Sequence, residues 1–260
     1  MDALLSVPFG IAIGLVVGAV GGGGAILALP VLVYVLGQGV GPATTASLVV
    51  VAVAAAFGAG SLARDGRIEL RLAAVFSIPA AAGAYLGTLA SDDVDPRALV
   101  VAFIPVMLAA AAAIWLREGS ASPRDRHLPD SLPKVAVAAT AGLGVGVLTG
   151  FFGVGGGFLI VPALTVLLGL ELHRAVATSL VIIAVTGCAA LASHLAAGAE
   201  PDWALTAAMS AATALGALAG SRWGRRLSAR SLAHGFAAIV AAVAVFLLVD
   251  ALLLGGPPVG

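Results

Sequence analysis

Apolar residues run along this chain in long blocks, and polar residues gather between them. The blocks cover approximately 4–20, 25–36, 44–63, 70–90 and 97–116, then 134–152, 157–168, 174–197, 203–221 and 231–254. Most approach the roughly 20 apolar residues that a helix needs to cross a bilayer. The stretch between the two sets, 117–133, carries Arg117, Glu118, Arg124, Asp125, Arg126, His127 and the prolines Pro123, Pro129 and Pro133, and reads as a linker.

The two sets are copies of one five-segment unit. At an offset of 132, Gly14, Gly18, Gly21, Gly23, Gly24, Leu27, Pro30, Gly37, Ser47 and Ser61 fall on Gly146, Gly150, Gly153, Gly155, Gly156, Leu159, Pro162, Gly169, Ser179 and Ser193. Beyond an insertion near position 200 the offset becomes 133, pairing Gly83, Gly87, Arg97 and Leu99 with Gly216, Gly220, Arg230 and Leu232. The expected organisation is a first transmembrane repeat over 1–116, a cytoplasmic linker over 117–133 and a second repeat over 134–260.

Loops 64–71, 117–133 and 222–230 are rich in arginine, whereas 91–96 and 199–202 are acidic. Basic short loops stay in the cytoplasm. Loop 64–71 is then inside and its counterpart near 199–202 outside, so the repeats are inverted and each crosses the bilayer an odd number of times. Segments 25–36 and 157–168 span 12 residues each, about 18 Å of helix against a hydrocarbon core of about 30 Å. The fold expected is therefore an all-α polytopic membrane protein of two inverted repeats. Each repeat is a glycine-broken hairpin turning near mid-membrane plus three transmembrane helices, and both termini lie outside. The alternative is that 4–20 and 134–152 cross fully and their glycines only pack helices closely.

Composition agrees with a membrane solvent: 61% of residues are hydrophobic and 10% charged. The net charge of zero gives no basic field for nucleic acid. Cys188 is the sole cysteine, so neither a disulfide nor a cysteine-cluster metal site is expected. No cofactor or metal is expected either. With Asp2 and no basic residue before the first apolar run, a cleaved signal peptide is not expected.

The candidate chemistry sits at the glycine runs. Paired, Gly/Pro-interrupted apolar segments in matching places of two halves point to a transporter binding site. Gly21, Gly22, Gly23 and Gly24 precede one half-helix; Gly153, Gly155, Gly156 and Gly157 precede the other, and Pro30 and Pro162 punctuate both. N-terminal amides of such half-helices lack intrahelical partners and carry the positive end of the helix dipole. Two inverted copies would aim two such ends at one anion. Thr45 and Ser47 in one half, and Thr178 and Ser179 in the other, flank this centre. They either donate to substrate oxygens or hold a cation, or else they cap their helices and bond back to the preceding turn. His194, with the matched Ser61 and Ser193, is a candidate for coupling, since histidine titrates near neutrality; the alternative for His194 is a polar anchor at the membrane interface. Aspartates and glutamates fall at segment ends or in loops, which favours an anionic substrate and weakens carboxylate-based proton coupling. An intramembrane serine enzyme is not expected, because Ser179 and His194 lie about 22 Å apart on one helix at 1.5 Å per residue.

The pattern Gly-x-x-Gly-x-Gly-Gly-Gly-x-x-x-x-Pro at 150–162, its altered partner at 18–30, and the runs Thr45-Ala46-Ser47-Leu48 and Ala177-Thr178-Ser179-Leu180 resemble the sulfite exporter TauE/SafE family, also called the toluene-sulfonate uptake permease superfamily. The resemblance implies a multi-pass carrier of the bacterial inner membrane for sulfite, sulfonates or other small organic anions, in either direction. The first copy departs from the second at Gly22 against Val154 and Ala25 against Gly157, so the half-sites are expected to contribute unequally. Expected partners are the small anion, the lipid bilayer and a coupling ion, H⁺ or Na⁺; a homodimer is left open. Two alternatives stand beside the alternating-access carrier: an anion channel, and a membrane assembly subunit that does not transport.

Overall fold

The structure, a computed structural model, describes residues 2–91, 96–118, 132–152, 157–196 and 198–250. Its helices are α1 (Asp2–Val20), α2 (Ala25–Pro30), α3 (Val40–Leu62), α4 (Leu70–Ser91), α5 (Pro96–Glu118), α6 (Leu132–Phe152), α7 (Gly157–Pro162), α8 (Leu172–Ala196), α9 (Trp203–Gly224) and α10 (Ala229–Val249). There is no strand among the described residues. The helix limits repeat at the offsets of the sequence: α2 and α7 at 132, and α4 and α9 at 133. The linker lies almost wholly outside the described residues.

Proline shapes both short arms in the same way. Pro30 and Pro162 each close a six-residue helix, and each is followed by a five-residue π-helical turn, Val31–Val35 and Ala163–Leu167. A proline ring clashes with the carbonyl four residues back and offers no N–H, and a widened turn relieves both problems. The exits match too. Gly37 and Gly169 take φ values of 64° and 72°, and the Gln38 and Leu170 amides donate to the Leu32 and Leu164 carbonyls at 3.0 and 3.1 Å.

The halves are interlocked rather than side by side. α1 packs along α9 of the other half, and α6 along α4. A Cβ on Gly14, Gly18, Gly216 or Gly220 would lie 2.2–2.3 Å from a backbone oxygen of the facing helix, those of Thr213, Ala217, Ile11 and Leu15. The second pair repeats this: Gly146 and Gly150 face the Ala80 and Ala84 oxygens, and Gly83 and Gly87 face those of Leu143 and Val147. Small residues four apart let two backbones touch, which in lipid replaces the hydrophobic drive that water would supply. These glycines are packing glycines.

The returning arms are pinned to the last helix of each half. The Tyr34 ring meets Phe246 of α10 edge-on with centroids 5.3 Å apart, and Phe158 of α7 meets Phe103 of α5 at 5.3 Å. The equivalent helices α3 and α8 cross antiparallel at the centre, since Thr45 reaches His194, Gly187 faces Ala52, and Gly58 faces Leu180.

The entering arms are longer than a turn near mid-membrane allows. α1 has 19 residues and α6 has 21, about 28 and 32 Å at 1.5 Å per residue. A Cβ on Gly58, in the last turns of α3, would lie 3.8 Å from the Cα of Gly18. The first glycine turn therefore sits well past the middle of its neighbours. By length and apolarity six described helical stretches can cross a membrane: Val40–Asp65, Leu70–Ala90, Val135–Phe152, Leu172–Ala196, Trp203–Gly224 and Ala229–Val249. The expected span 97–116 lies in α5, whose 23 residues are also long enough to cross, about 34 Å at 1.5 Å per residue, so α6 adds a crossing-length helix that was expected only as a hairpin arm.

Gly150→Ala should destabilise the protein in micelles by about 1–3 kcal/mol, the usual cost of overpacking, because its Cβ would lie 1.9 Å from the Ala84 oxygen. Gly144→Ala, with nothing within 4 Å, should be neutral or slightly stabilising. Unfolding of the two variants in detergent makes the comparison; equal stability would mean that the helices are not held at backbone contact.

Candidate functional site

Gly21 takes φ 76° and ψ −131°, a conformation open to glycine, and turns the chain out of α1. Gly22, Gly23 and Gly24 form one buried 3₁₀ turn that leads into α2. Gly153, Gly155 and Gly156 lie outside the described residues; Gly157 opens α7. The first break meets the start of α7. A Cβ on Gly22 would lie 1.5 Å from the Gly157 oxygen, and one on Gly157 would lie 3.3 Å from the Gly22 Cα. Gly24 is pressed against the Val17 amide, whereas Gly23 meets only the edge of the Phe236 ring.

A cavity of about 70 Å³ lies beside this contact, between α2, α3, α4, α6, α7 and α8. Ala25 brings the start of α2 and Ile160 the middle of α7 to its wall, and Ser47, Thr149 and Thr186 supply its hydroxyls. No charged side chain lines it. All three hydroxyls donate to their own helices: Ser47 to Thr44 O at 2.7 Å, Thr149 to Val145 O at 2.6 Å, Thr186 to Ile182 O at 2.8 Å. Back-bonding is thus the observed state of Ser47, and these groups turn lone pairs rather than protons to the cavity.

The matching positions of the other half are closely packed. Gly157, Val161, Ser179, Leu180, Thr213 and Ala217 are all buried. Ser179 donates to Val176 O at 2.8 Å, and a Cβ on Gly21 would sit 2.7 Å from its Oγ. Ser47 borders a cavity, whereas its counterpart Ser179 is fully buried.

The remaining candidates divide between two ends. Thr178 is fully buried, and its hydroxyl accepts the Glu69 amide at 3.1 Å. Glu69 also pairs with Arg174 at 2.8 Å, Asp65 with Arg225 at 2.9 Å, and a His173 ring nitrogen lies 3.2 Å from the Leu227 oxygen. Loops 64–71, 171–174 and 222–230, the basic or cytoplasmic set of the sequence, therefore gather at one end, with Thr178 as an anchor. At the opposite end Thr45 meets His194, Oγ1 to Nδ1 at 3.2 Å, and Asp202 caps α9 through the Ala204 and Leu205 amides at 3.0 and 3.1 Å. Ser61 makes a short contact with Ser221 near the basic end, and Ser193 only bonds back to Ala189 O. His194, Ser61 and Ser193 are not brought together.

Sequence reading missed Thr149 and Thr186, which have no hydroxyl at the repeat-equivalent positions Val17 and Ala54. It also placed Asp250 at a segment end, without a partner. Asp250 is instead 2% exposed and accepts the Tyr34 hydroxyl at 2.7 Å, tying α10 to the returning arm of the first hairpin. A segment-end position says nothing about which element covers the carboxylate.

A polytopic helical membrane protein whose two short arms pack together beside a small, partly open cavity has the architecture of a membrane transporter. Residues 6–247 match the family described as Sulfite exporter TauE/SafE, and the chain belongs to that family. Among its relatives, a "Probable membrane transporter protein" of Xylella fastidiosa strain 9a5c is 30% identical over 240 residues, 91% of each chain. Another protein of that name, from strain Temecula1, is 34% identical over 173 residues, 66% of each chain. "Probable membrane transporter protein YdhB" of Bacillus subtilis is 25% identical over 171 residues, 66% of this chain and 70% of its own. No solved structure matches. The family is one of membrane transporters, not an enzyme class.

Gly22→Ala should lower transport by roughly tenfold or more, since overpacking of about 1–3 kcal/mol falls on the contact between the first break and α7. Gly23→Ala should keep most activity, because the Phe236 ring can give way. Flux per inserted molecule distinguishes them; equal losses would remove the special place of the Gly22–Gly157 contact.

Proposed function

We propose that this protein is a secondary transporter that moves a small anion, either sulfite, an organosulfonate or a small carboxylate, across the bacterial inner membrane by alternating access. The observation that carries the reading is the inequality of two halves of the same design: Ser47 borders a cavity, and its counterpart Ser179 is fully buried. Antiparallel crossing of α3 and α8 supports inverted repeats. If the halves exchange conformations, the Ser179 side opens as the Ser47 side closes. The basic loops mark the cytoplasmic end by the positive-inside rule. The Ser47 cavity, nearer the Thr45–His194 end, then faces outward.

Attraction for an anion comes from backbone rather than from arginine. α2 meets the cavity wall at its first residue, Ala25, and α7 at its fourth, Ile160, and the positive end of a helix dipole favours negative charge. Desolvation by apolar walls strengthens that attraction. The packed Ser179 side favours a carrier over an anion channel, which needs a path open at both ends. An anion leaving a negative interior gains about 2.3 kcal/mol per charge per 100 mV, so export runs on the potential, whereas uptake needs a coupled ion, H⁺ or Na⁺.

Labelled sulfite, sulfoacetate and acetate should be tested for uptake into proteoliposomes, with and without a potential, a pH gradient or a Na⁺ gradient. Saturable, trans-stimulated flux of at least one anion is the expected result. Unsaturable flux would indicate the channel. A folded protein without flux under any gradient would indicate the non-transporting subunit.

A further inference from the structure

The loop that joins α3 to α4, residues 63–69, is held at two points by ion pairs. Arg225 donates to both carboxylate oxygens of Asp65 at 2.9 and 3.0 Å, and Arg174 donates to Glu69 at 2.8 Å. The Glu69 amide is fixed as well, on the Thr178 hydroxyl. Between these two points stands Arg67, partly buried and without an acidic partner among the described residues. Arg64 of the same loop is exposed.

Arg67 lines a pocket at the basic end, together with Gly18 of α1, His173 and Val176 of α8, Ser221 of α9, and Arg225. Asp65 neutralises Arg225, and the His173 ring lies between the Leu227 oxygen at 3.2 Å and the Glu171 carboxylate at 3.5 Å. No acidic side chain lines the pocket. Arg67 therefore leaves its wall with an uncompensated positive charge. A guanidinium drawn partly out of water without a counter-ion costs free energy, and its planar fork of N–H donors fits an oxyanion.

The pocket lies one helical turn on the cytoplasmic side of Ser179. Val176, in its wall, accepts the Ser179 hydroxyl at 2.8 Å, and α8 begins at Leu172 beside the basic loops. Gly18 borders it just before the Gly21 turn. The repeat-equivalent positions have a different character. Gly18 and Leu232 recur as Gly150 and Leu99, but Arg225 falls on Asp92, His173 on Gly41, and Arg67 on Glu200 or, at the shorter offset, Ala199. Packing is repeated and charge is not. The positive-inside rule accounts for arginines exposed in these loops; it does not call for one set between helices.

We propose that Arg67 and the pocket it lines form a capture site for a small oxyanion, such as sulfite, a sulfonate or a carboxylate, at the cytoplasmic mouth of the Ser179 half-site. This rests on the alternating-access reading and gives it a side: the anion is loaded from the cytoplasm, the direction that the potential drives. The pocket holds about 10 Å³, room for about one water. That is a narrow mouth in a state whose cavity lies beside Ser47, and Arg67, partly exposed, meets the anion before the mouth widens. Capture and central holding are then separate tasks, with arginine at the mouth and main chain at the centre.

The test uses the full-length protein with sulfite as probe, in inside-out vesicles, whose cytoplasmic face meets the medium, and in right-side-out vesicles. Arg67→Ala should raise the sulfite concentration for half-maximal flux from the cytoplasmic face by about threefold to tenfold, between the loss of an exposed ion pair and that of a bond to a buried charge. Half-saturation from the outer face should not change. Arg67→Lys keeps the charge without the fork and should fall between parent and alanine. Arg64→Ala removes an exposed charge from the same loop and should leave both faces unchanged. In detergent without sulfite, Arg67→Ala should melt with the parent, since no protein partner is lost; it should need more sulfite for the same rise in melting temperature. Unchanged half-saturation at the cytoplasmic face in Arg67→Ala overturns the proposal. So does an equal shift at both faces, an equal shift in Arg64→Ala, which would mark diffuse surface charge, or a fall in melting temperature without sulfite, which would mark a structural role. A parent without sulfite flux but with an Arg67-dependent thermal shift removes sulfite transport and leaves the capture site standing. A parent with neither overturns both, and a transporting parent with an unaffected Arg67→Ala overturns the capture site alone.

Discussion

Backbone-to-backbone approach between helices of opposite halves is the constraint on which the rest of the structure depends. In lipid, apolar side chains gain little by leaving their surroundings, so helices associate through close packing. Gly14 and Gly18 against α9, and Gly146 and Gly150 against α4, bring main chains together where any Cβ would collide with a carbonyl oxygen. This fixes α1 to α9 and α6 to α4. With the outer pairs clamped, α3 and α8 are left to cross at the centre, and the space between clamp and crossing is filled by the short arms α2 and α7.

The short arms could not exist without that enclosure. Backbone that leaves helical geometry at membrane depth must be covered by protein or line a cavity. Gly21–Gly24 are wholly covered, and the break they form abuts Gly157 of the other half. At Gly22 and Gly157 the two arms touch through main chain, with no side chain between them. A displacement of one arm is therefore felt directly by the other. The unequal filling of the half-sites shows what such a coupled pair can do: room beside Ser47 coexists with close packing around Ser179, although both stand at the same place in the repeat.

Much of this was legible in the sequence, for identifiable reasons. The duplication at offsets of 132 and 133 is covalent information, and the helix limits follow it. The hairpins were legible because proline and consecutive glycine act locally. The depth of the turn was not, since it depends on how far α1 runs along α9. Thr45 and His194 were picked separately, but only the crossing of α3 and α8 joins them. Thr178 read as a substrate ligand because it stands next to Ser179; its hydroxyl instead faces the Glu69 amide, a contact set by the packing of α8 against α4. Thr149 and Thr186 left no trace because their repeat partners are apolar. The Tyr34–Asp250 bond was hidden for the reason most long-range contacts are: 216 residues separate its ends.

The exchange of helices between halves has a consequence for how the protein is made. Gly14 finds its partner at Gly216, 202 residues later (216 − 14), and at roughly 5–20 residues per second the ribosome takes about 10–40 s to supply it. Through that interval α1 sits in the bilayer with its glycine face, built for another main chain, turned to lipid or to the insertion machinery. α4 waits less, about 60 residues, for α6. The second half thus matures as it is inserted, and the first matures last. The fourth and fifth helices of the second half complete the first hairpin: a chain stopped before α9 would leave α1 and the returning arm without their partners.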